Sequence, residues 1–281
     1  MNAALRGITT AVVVAVVLNG GGVTSAQPTA QSPERKESLA LLTKVAASFE
    51  VRLDDKRLAV REAEPLMRWT NTIGHATDAA LFVWIHDGRP VAAGTAFVTD
   101  GVNVGHEFQS LALGPLQVKR QGKPIWTPPE PGIEFRPLID APKPADSARQ
   151  RLSQIKTLAR RFRAQAIKAP PAYQLNDARE LRLFAQPILQ YEDPQMPERE
   201  GAIFAFVMDT DADVLLLIEN RERDGKTGWE YALARANPYV LKVWCDDALV
   251  WFQKHVKVMN DPALPYFIVG PFSVKDVVHE P

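Results

Sequence analysis

Ala80-Leu81-Phe82-Val83-Trp84-Ile85-His86-Asp87-Gly88-Arg89-Pro90 is an apolar run that ends in turn chemistry. Asp-Gly between apolar stretches is a strong hairpin signal. The run also has a counterpart. Ala80 to Trp84 matches Ala202-Ile203-Phe204-Ala205-Phe206 at an offset of 122, and Asp87 falls on Asp209 at the same offset. Upstream, Ala63-Glu64-Pro65-Leu66-Met67-Arg68-Trp69 matches Ala185-Gln186-Pro187-Ile188-Leu189-Gln190-Tyr191 without a gap. Downstream, Glu107-Phe108 aligns with Glu230-Tyr231 at 123, and Leu116, Val118 and Trp126 align with Leu241, Val243 and Trp251 at 125. The offset grows only at turn-like places, where insertions are tolerated.

The segments before these runs agree as well. Leu39, Leu42, Val45, Ala46 and Phe49 line up with Leu152, Ile155, Leu158, Ala159 and Phe162. Their spacing of three or four is that of an amphipathic helix. It predicts helices over 33–49 and 147–164. Strands are predicted at 58–69, 79–85, 91–98, 106–113, 116–120 and 124–127, then at 181–191, 202–208, 214–220, 229–236, 239–244 and 249–253. Helices followed by runs of strands point to α+β architecture. The expectation is two tandem related units, each one helix followed by a mostly antiparallel sheet, packed with approximate twofold symmetry. The units span 33–128 and 147–253. A proline-rich linker at 129–146 joins them, and a tail follows at 254–281 with one more strand candidate, 266–269.

The N-terminus has its own character. Arg6 precedes an eleven-residue apolar run, 8–18, and Thr24-Ser25-Ala26 supplies small residues. A positive start, a short apolar middle and a small-residue exit are the parts of a cleavable secretory signal, here 1–26. The run falls short of the roughly 20 residues that a bilayer helix needs. Residues 27–32 read as a flexible leader. The expectation is an exported protein, periplasmic or secreted, with no membrane span in the mature chain.

Charge and composition narrow the partners. The chain has 33 basic and 33 acidic residues, and no basic stripe points to nucleic acid. Hydrophobic residues make up 46%, enough for a real core. Cys245 is the single cysteine, so no internal disulfide holds the fold. It lies in an apolar, strand-like run and reads as a small buried hydrophobe.

None of the histidines (His75, His86, His106, His255, His279) sits at zinc-protease spacing. Asp209-Thr210-Asp211-Ala212-Asp213 lacks the glycine and the glutamate that a calcium loop needs at its sixth and twelfth positions, so it reads as a turn. No metal or cofactor is expected. There is no Gly-x-Ser-x-Gly elbow and no phosphate-cradling glycine loop. The tryptophans Trp69, Trp84, Trp126 and Trp251 fall on matched positions, as core residues would. His106-Glu107 is the most interesting polar pair, although neighbours on a strand point to opposite faces.

Pro65 to Trp69, Trp84 to Pro90, His106-Glu107-Phe108-Gln109-Ser110-Leu111, Gly201 to Val207 and Trp229-Glu230-Tyr231-Ala232-Leu233-Ala234-Arg235 resemble segments of a family of uncharacterised exported bacterial proteins. The resemblance covers most of the chain after the leader, and implies export and no particular activity. The reading is a non-catalytic binding or scaffold protein for an unknown small molecule or protein. Its ligand groove would lie between the units, lined by Arg89, His106, Glu107, Glu230 and Arg235. The alternative is an extracytoplasmic hydrolase or other small-molecule enzyme using His106 and Glu107.

Overall fold

The opening apolar run and its counterpart are central strands of two different sheets, and each has both faces covered. In the computed structural model, the described residues are 33–278 apart from 55, 72–75, 100 and 168–177. The expected signal and leader, His75 and His279 lie outside the described residues.

The first half holds α1 (Pro33–Ala47), β1 (Phe49–Arg52), β2 (Val60–Arg61), β3 (Met67–Asn71), β4 (Ala76–His86), β5 (Arg89–Thr99), β6 (Asn103–Ser110), β7 (Gln117–Arg120) and β8 (Lys123–Trp126). β9 (Arg136–Pro137) lies in the linker. The second half holds α2 (Ala148–Ala159), β10 (Phe162–Ile167), β11 (Arg179–Leu183), β12 (Leu189–Asp193), β13 (Met196–Val207), β14 (Ala212–Arg223), β15 (Lys226–Arg235), β16 (Val240–Cys245) and β17 (Ala248–Gln253). β18 (Tyr266–Ser273) and the short α3 (Val274–Val278) close the chain.

The strands pair in the order β17-β16-β10-β11-β13-β14-β15-β9 in one large sheet, with β12 added on β13. The large sheets include a half-barrel, and Arg136 Nη1 of β9 reaches the Val250 carbonyl of β17, the strand at the other end of this pairing order, at 3.2 Å. A second sheet runs β18-β6-β5-β4-β2, with β3 on β4, and a third runs β1-β7-β8. An isolated bridge between Arg52 of β1 and Leu58, with the Ala59 amide donating to the Val51 carbonyl at 2.9 Å, ties β1 to the segment that leads into β2. Every strand pairing among the described residues is antiparallel, and left-handed Asp87-Gly88, Gln121-Gly122 and Asp224-Gly225 make the tight turns. Such residues supply the positive φ that two-residue hairpins require.

Three apolar clusters fix the layers. Ala80, Phe82 and Trp84 of β4 face α1, packing with Leu42, Val45, Ala46, Phe108 and Trp126. Ala202, Phe204 and Phe206 of β13 face α2 through Ile155, Leu158 and Ala159. The intervening residues, Ala79 and Leu81 on one strand and Ile203, Ala205 and Val207 on the other, meet Leu215, Leu217, Ala232 and Trp69 in a shared middle core. Alternating side chains thus serve two cores at once, which is why these strands read as continuous apolar runs.

The α+β expectation is corrected. Strands account for 52% of the described residues and helices for 13%, so the protein is mostly β, built from large antiparallel sheets and not from units of one helix with a sheet. Both predicted helices stop early. α1 ends at Ala47, and Phe49 and Val51 are buried strand residues. α2 ends at Ala159, and Phe162, Ala164 and Ala166 point inward with a period of two. A buried stripe at helical spacing ran straight into a buried stripe at strand spacing, and the two merged in the sequence pattern. The predicted strands 58–69 and 181–191 each divide into two, at Pro65 and Pro187, where proline cannot donate to a ladder. The tail is not peripheral: β18 pairs with β6, and Trp126 Nε1 donates to the Leu264 carbonyl at 2.7 Å.

Candidate ligand cavity between the sheets

Arg89 follows the Asp87-Gly88 turn, so its strand starts at the edge of the middle core. Its Nε donates to Glu219 Oε2 of β14 at 3.1 Å, across the gap between sheets. Glu219 is fully enclosed, its side chain only 1% exposed. It continues the inward face that carries Leu215 and Leu217. A buried carboxylate must find donors, and Glu219 finds three. Besides Arg89, Arg221 Nη1 approaches Oε1 at 2.7 Å, and the Tyr191 hydroxyl donates to Oε2 at 3.1 Å. Burial, and then the Glu219 charge, push the Tyr191 phenol well above its ordinary range, so it stays a donor.

The network extends outward. Arg221 Nε lies 3.2 Å from Glu230 Oε2, and Arg223 Nε donates to Glu230 Oε1 at 2.6 Å. Glu219 and Glu230 are direct cross-strand partners on β14 and β15. Two carboxylates opposite one another repel, and Arg221 between them removes that cost. Phe135 backs the cations, its ring centroid 5.0 Å from the Arg89 guanidinium carbon and 4.4 Å from that of Arg221.

Above this floor lies a cavity of about 460 Å³. Both halves of the chain contribute. Leu53, Val91, Leu113 and Pro115 supply apolar wall, and Arg57, Arg89, Arg199 and Arg221 supply cations. His86 also lines it. Its Nδ1 must donate to the Leu58 carbonyl, 3.0 Å away, which leaves Nε2 facing Asp87 Oδ2 at 3.3 Å. A wider hollow of about 910 Å³ lies on the other side of Tyr191, against α2. Of its ionic lining, Glu62, Arg149, Glu192 and Glu200, the last is held by Arg151 at 2.7 Å.

The five residues expected to line one groove divide among three places. Arg89 lines the cavity, and Glu230 belongs to the network beneath it. Glu107 lies elsewhere, accepting a 3.0 Å hydrogen bond from the Tyr266 hydroxyl of β18. Burial lifts its carboxyl to about 7, with the Asp211 charge adding to the rise and the Tyr266 bond opposing it. Arg235 lies near that pair, over the Tyr266 ring, and donates to the Asn237, Tyr239 and Lys254 carbonyls. Burial lowers it to about 10.

His106 is in the α1 core, fully buried among Phe49, Phe108 and Trp84. Neither ring nitrogen makes a well-formed hydrogen bond. The Glu107 backbone is near enough only to offset slightly the burial that drives its pKa to about 3. His106 and Glu107 thus face opposite sides of β6. The expected match of Glu107 with Glu230 is also corrected. Glu107 pairs with Thr95, whereas Glu230 pairs with Glu219. The turn after β14 comes later than the turn after β5, so the 123 offset is two residues short of the ladder's.

Sequence reading missed Glu219, Arg221, Tyr191, Arg57 and Arg199. One signal was present: Glu219, Arg221 and Arg223 alternate at the end of the apolar run 214–218, charges on a strand face that is otherwise apolar. Of the Asp209–Asp213 stretch, the residues up to Asp211 form a bend and Ala212 and Asp213 already belong to β14, where Asp213 Oδ2 accepts from the Met208 amide at 2.6 Å and Asp213 also bonds the Asn237 amide group. Among the described residues, no group of three His, Cys, Asp or Glu side chains is placed to hold a metal ion, and no helix is long and apolar enough to cross a membrane. No family model, curated protein or solved structure matches the chain.

Proposed function

We propose that this chain is an exported, non-catalytic protein that binds a small molecule in the cavity between its sheets. The observation that carries the reading is the cavity floor. Arg89, Glu219, Arg221 and Tyr191 are already locked together before any ligand arrives. A concave site with apolar walls and a few fixed polar groups is the usual form of a ligand pocket. The catalytic alternative is less supported, because His106 is sealed in a core and turned away from Glu107. The halves also share a strand order, with β8-β7-β1 and β2-β4-β5-β6-β18 following the course of β17-β16-β10 and β11-β13-β14-β15-β9. That parallel supports descent from one duplicated unit.

The test is a fragment screen read by thermal shift, on the natural chain and on Leu113→Trp. Leu113 is an exposed wall residue, so the larger side chain obstructs the cavity without disturbing a core. A true ligand raises the melting temperature by mass action. Hits should lose their shift in Leu113→Trp. Hits that shift both proteins equally would place binding elsewhere and sink the reading.

A further inference from the structure

We propose that the ligand of this cavity is an amphipathic oxyanion, a small molecule with a carboxylate or phosphate on an apolar body. The inference rests on the cavity being the ligand site and specifies what the site selects.

Charge is the first argument. The lining carries four arginines against three carboxylates, Asp87, Asp193 and Glu219, and Asp54, just outside it, pairs with Arg57 at 2.7 Å, so the unmatched cation lies on the floor. Glu219 is already consumed by its three donors. Below it, Arg221 and Arg223 also share Glu230, so the floor has three guanidiniums for two carboxylates. A surplus cation in a partly desolvated place favours an incoming anion.

Donor supply is the second argument. Arg89 Nη2 is buried at the cavity wall without a hydrogen-bond partner. A buried guanidinium donor left unused costs free energy that a new acceptor recovers. At the rim, Arg199 meets Asp193 only at 3.5 Å and its side chain is 38% exposed. Arg57 is 55% exposed and pairs with Asp54 from one side. Both can turn a planar pair of donors toward a carboxylate or phosphate, which arginine grips in bidentate fashion. The apolar wall is the third argument. Leu53, Val91, Leu113 and Pro115 offer no hydrogen bond, so the rest of the ligand must be apolar where it meets them.

The experiment is a protein-observed NMR titration of the chain with benzoate, phenyl phosphate and benzamide. Both acids should perturb the Leu113 and Gly114 amides saturably, and benzamide should bind at least about tenfold more weakly, the scale of one charge-assisted contact. Whichever acid binds tighter identifies the oxyanion. Arg57→Gln with Arg199→Gln, both on exposed side chains, should weaken the acids by about tenfold and leave benzamide unchanged. Equal binding of benzamide and benzoate would overturn the oxyanion inference and leave the cavity reading standing. No perturbation of cavity residues by any of the three probes would remove both.

Discussion

Arg89 of β5 and Glu219 of β14 meet at 3.1 Å, joining two sheets that share no hydrogen-bonded strand pair among the described residues. The contact lies where the apolar middle core ends and the cavity begins. It therefore bears on stability and on binding together. Removing one partner of a buried ion pair strands the other, at a cost of about 3–5 kcal/mol. Glu219→Ala should show that loss in urea unfolding, because Arg89, Arg221 and Tyr191 all lose an acceptor. A change below about 1 kcal/mol, the worth of a surface pair, would mean that the network is not buried in solution.

His106 and Glu107 give opposite pH dependences from adjacent positions. His106 is lowered to about 3 from 6.5, so below 6.5 the unfolded chain takes a proton that the native state refuses. Its contribution to stability is present above 6.5 and lost as pH falls toward 3. Glu107 is raised to about 7 from 4.5, so its contribution is present below 4.5 and lost as pH rises through about 7. Glu107 keeps partial exposure, and solvent trims its effect. Between 4.5 and 6.5 the two slopes oppose, and this pair should yield a plateau with decline on both sides. In Glu107→Gln the alkaline decline should vanish, so that stability climbs from pH 4.5 to 6.5. Urea midpoints across that range, compared between the two proteins, check it; identical profiles would contradict the assignment.

Gly94 lies opposite Phe108, with the His106 ring and the Glu107 carbonyl filling the space that a side chain would take. Overpacking of such a place costs about 1–3 kcal/mol. Gly94→Ala should therefore lower the unfolding midpoint, with circular dichroism confirming a native strand signal. An unchanged midpoint would show that His106 can move aside.

The tail offers a test of topology. β18 completes the β6 edge, buries Tyr266 and Phe267, and anchors Trp126 through the Leu264 carbonyl. Truncation after Gln253 should expose Glu107 and the α1 core and broaden the thermal transition. A truncated chain that melts as cooperatively as the natural one would show that the tail is dispensable.

Much of the strand layout was legible because β hairpins announce themselves. Asp87-Gly88 and Gln121-Gly122 lie where turn chemistry puts them. The fold class was not legible, because helix and strand stripes abut at Phe49 and Phe162 without punctuation. The double burial of β4 and β13 was hidden for a related reason: when both faces are covered, alternation disappears. Of the site, Arg89 could be picked out because it ends a turn. Its partners could not, since Glu219 is distant in sequence and becomes a neighbour only through the packing of two sheets.

The most direct test follows the arginine side-chain Nε–Hε signals during a phenyl phosphate titration. The Arg89 and Arg199 signals should move together and saturate at one common concentration, while Arg136 of β9, outside the cavity lining, stays still. Movement of Arg136 with Arg89 and Arg199 unchanged would contradict a ligand cavity between the sheets.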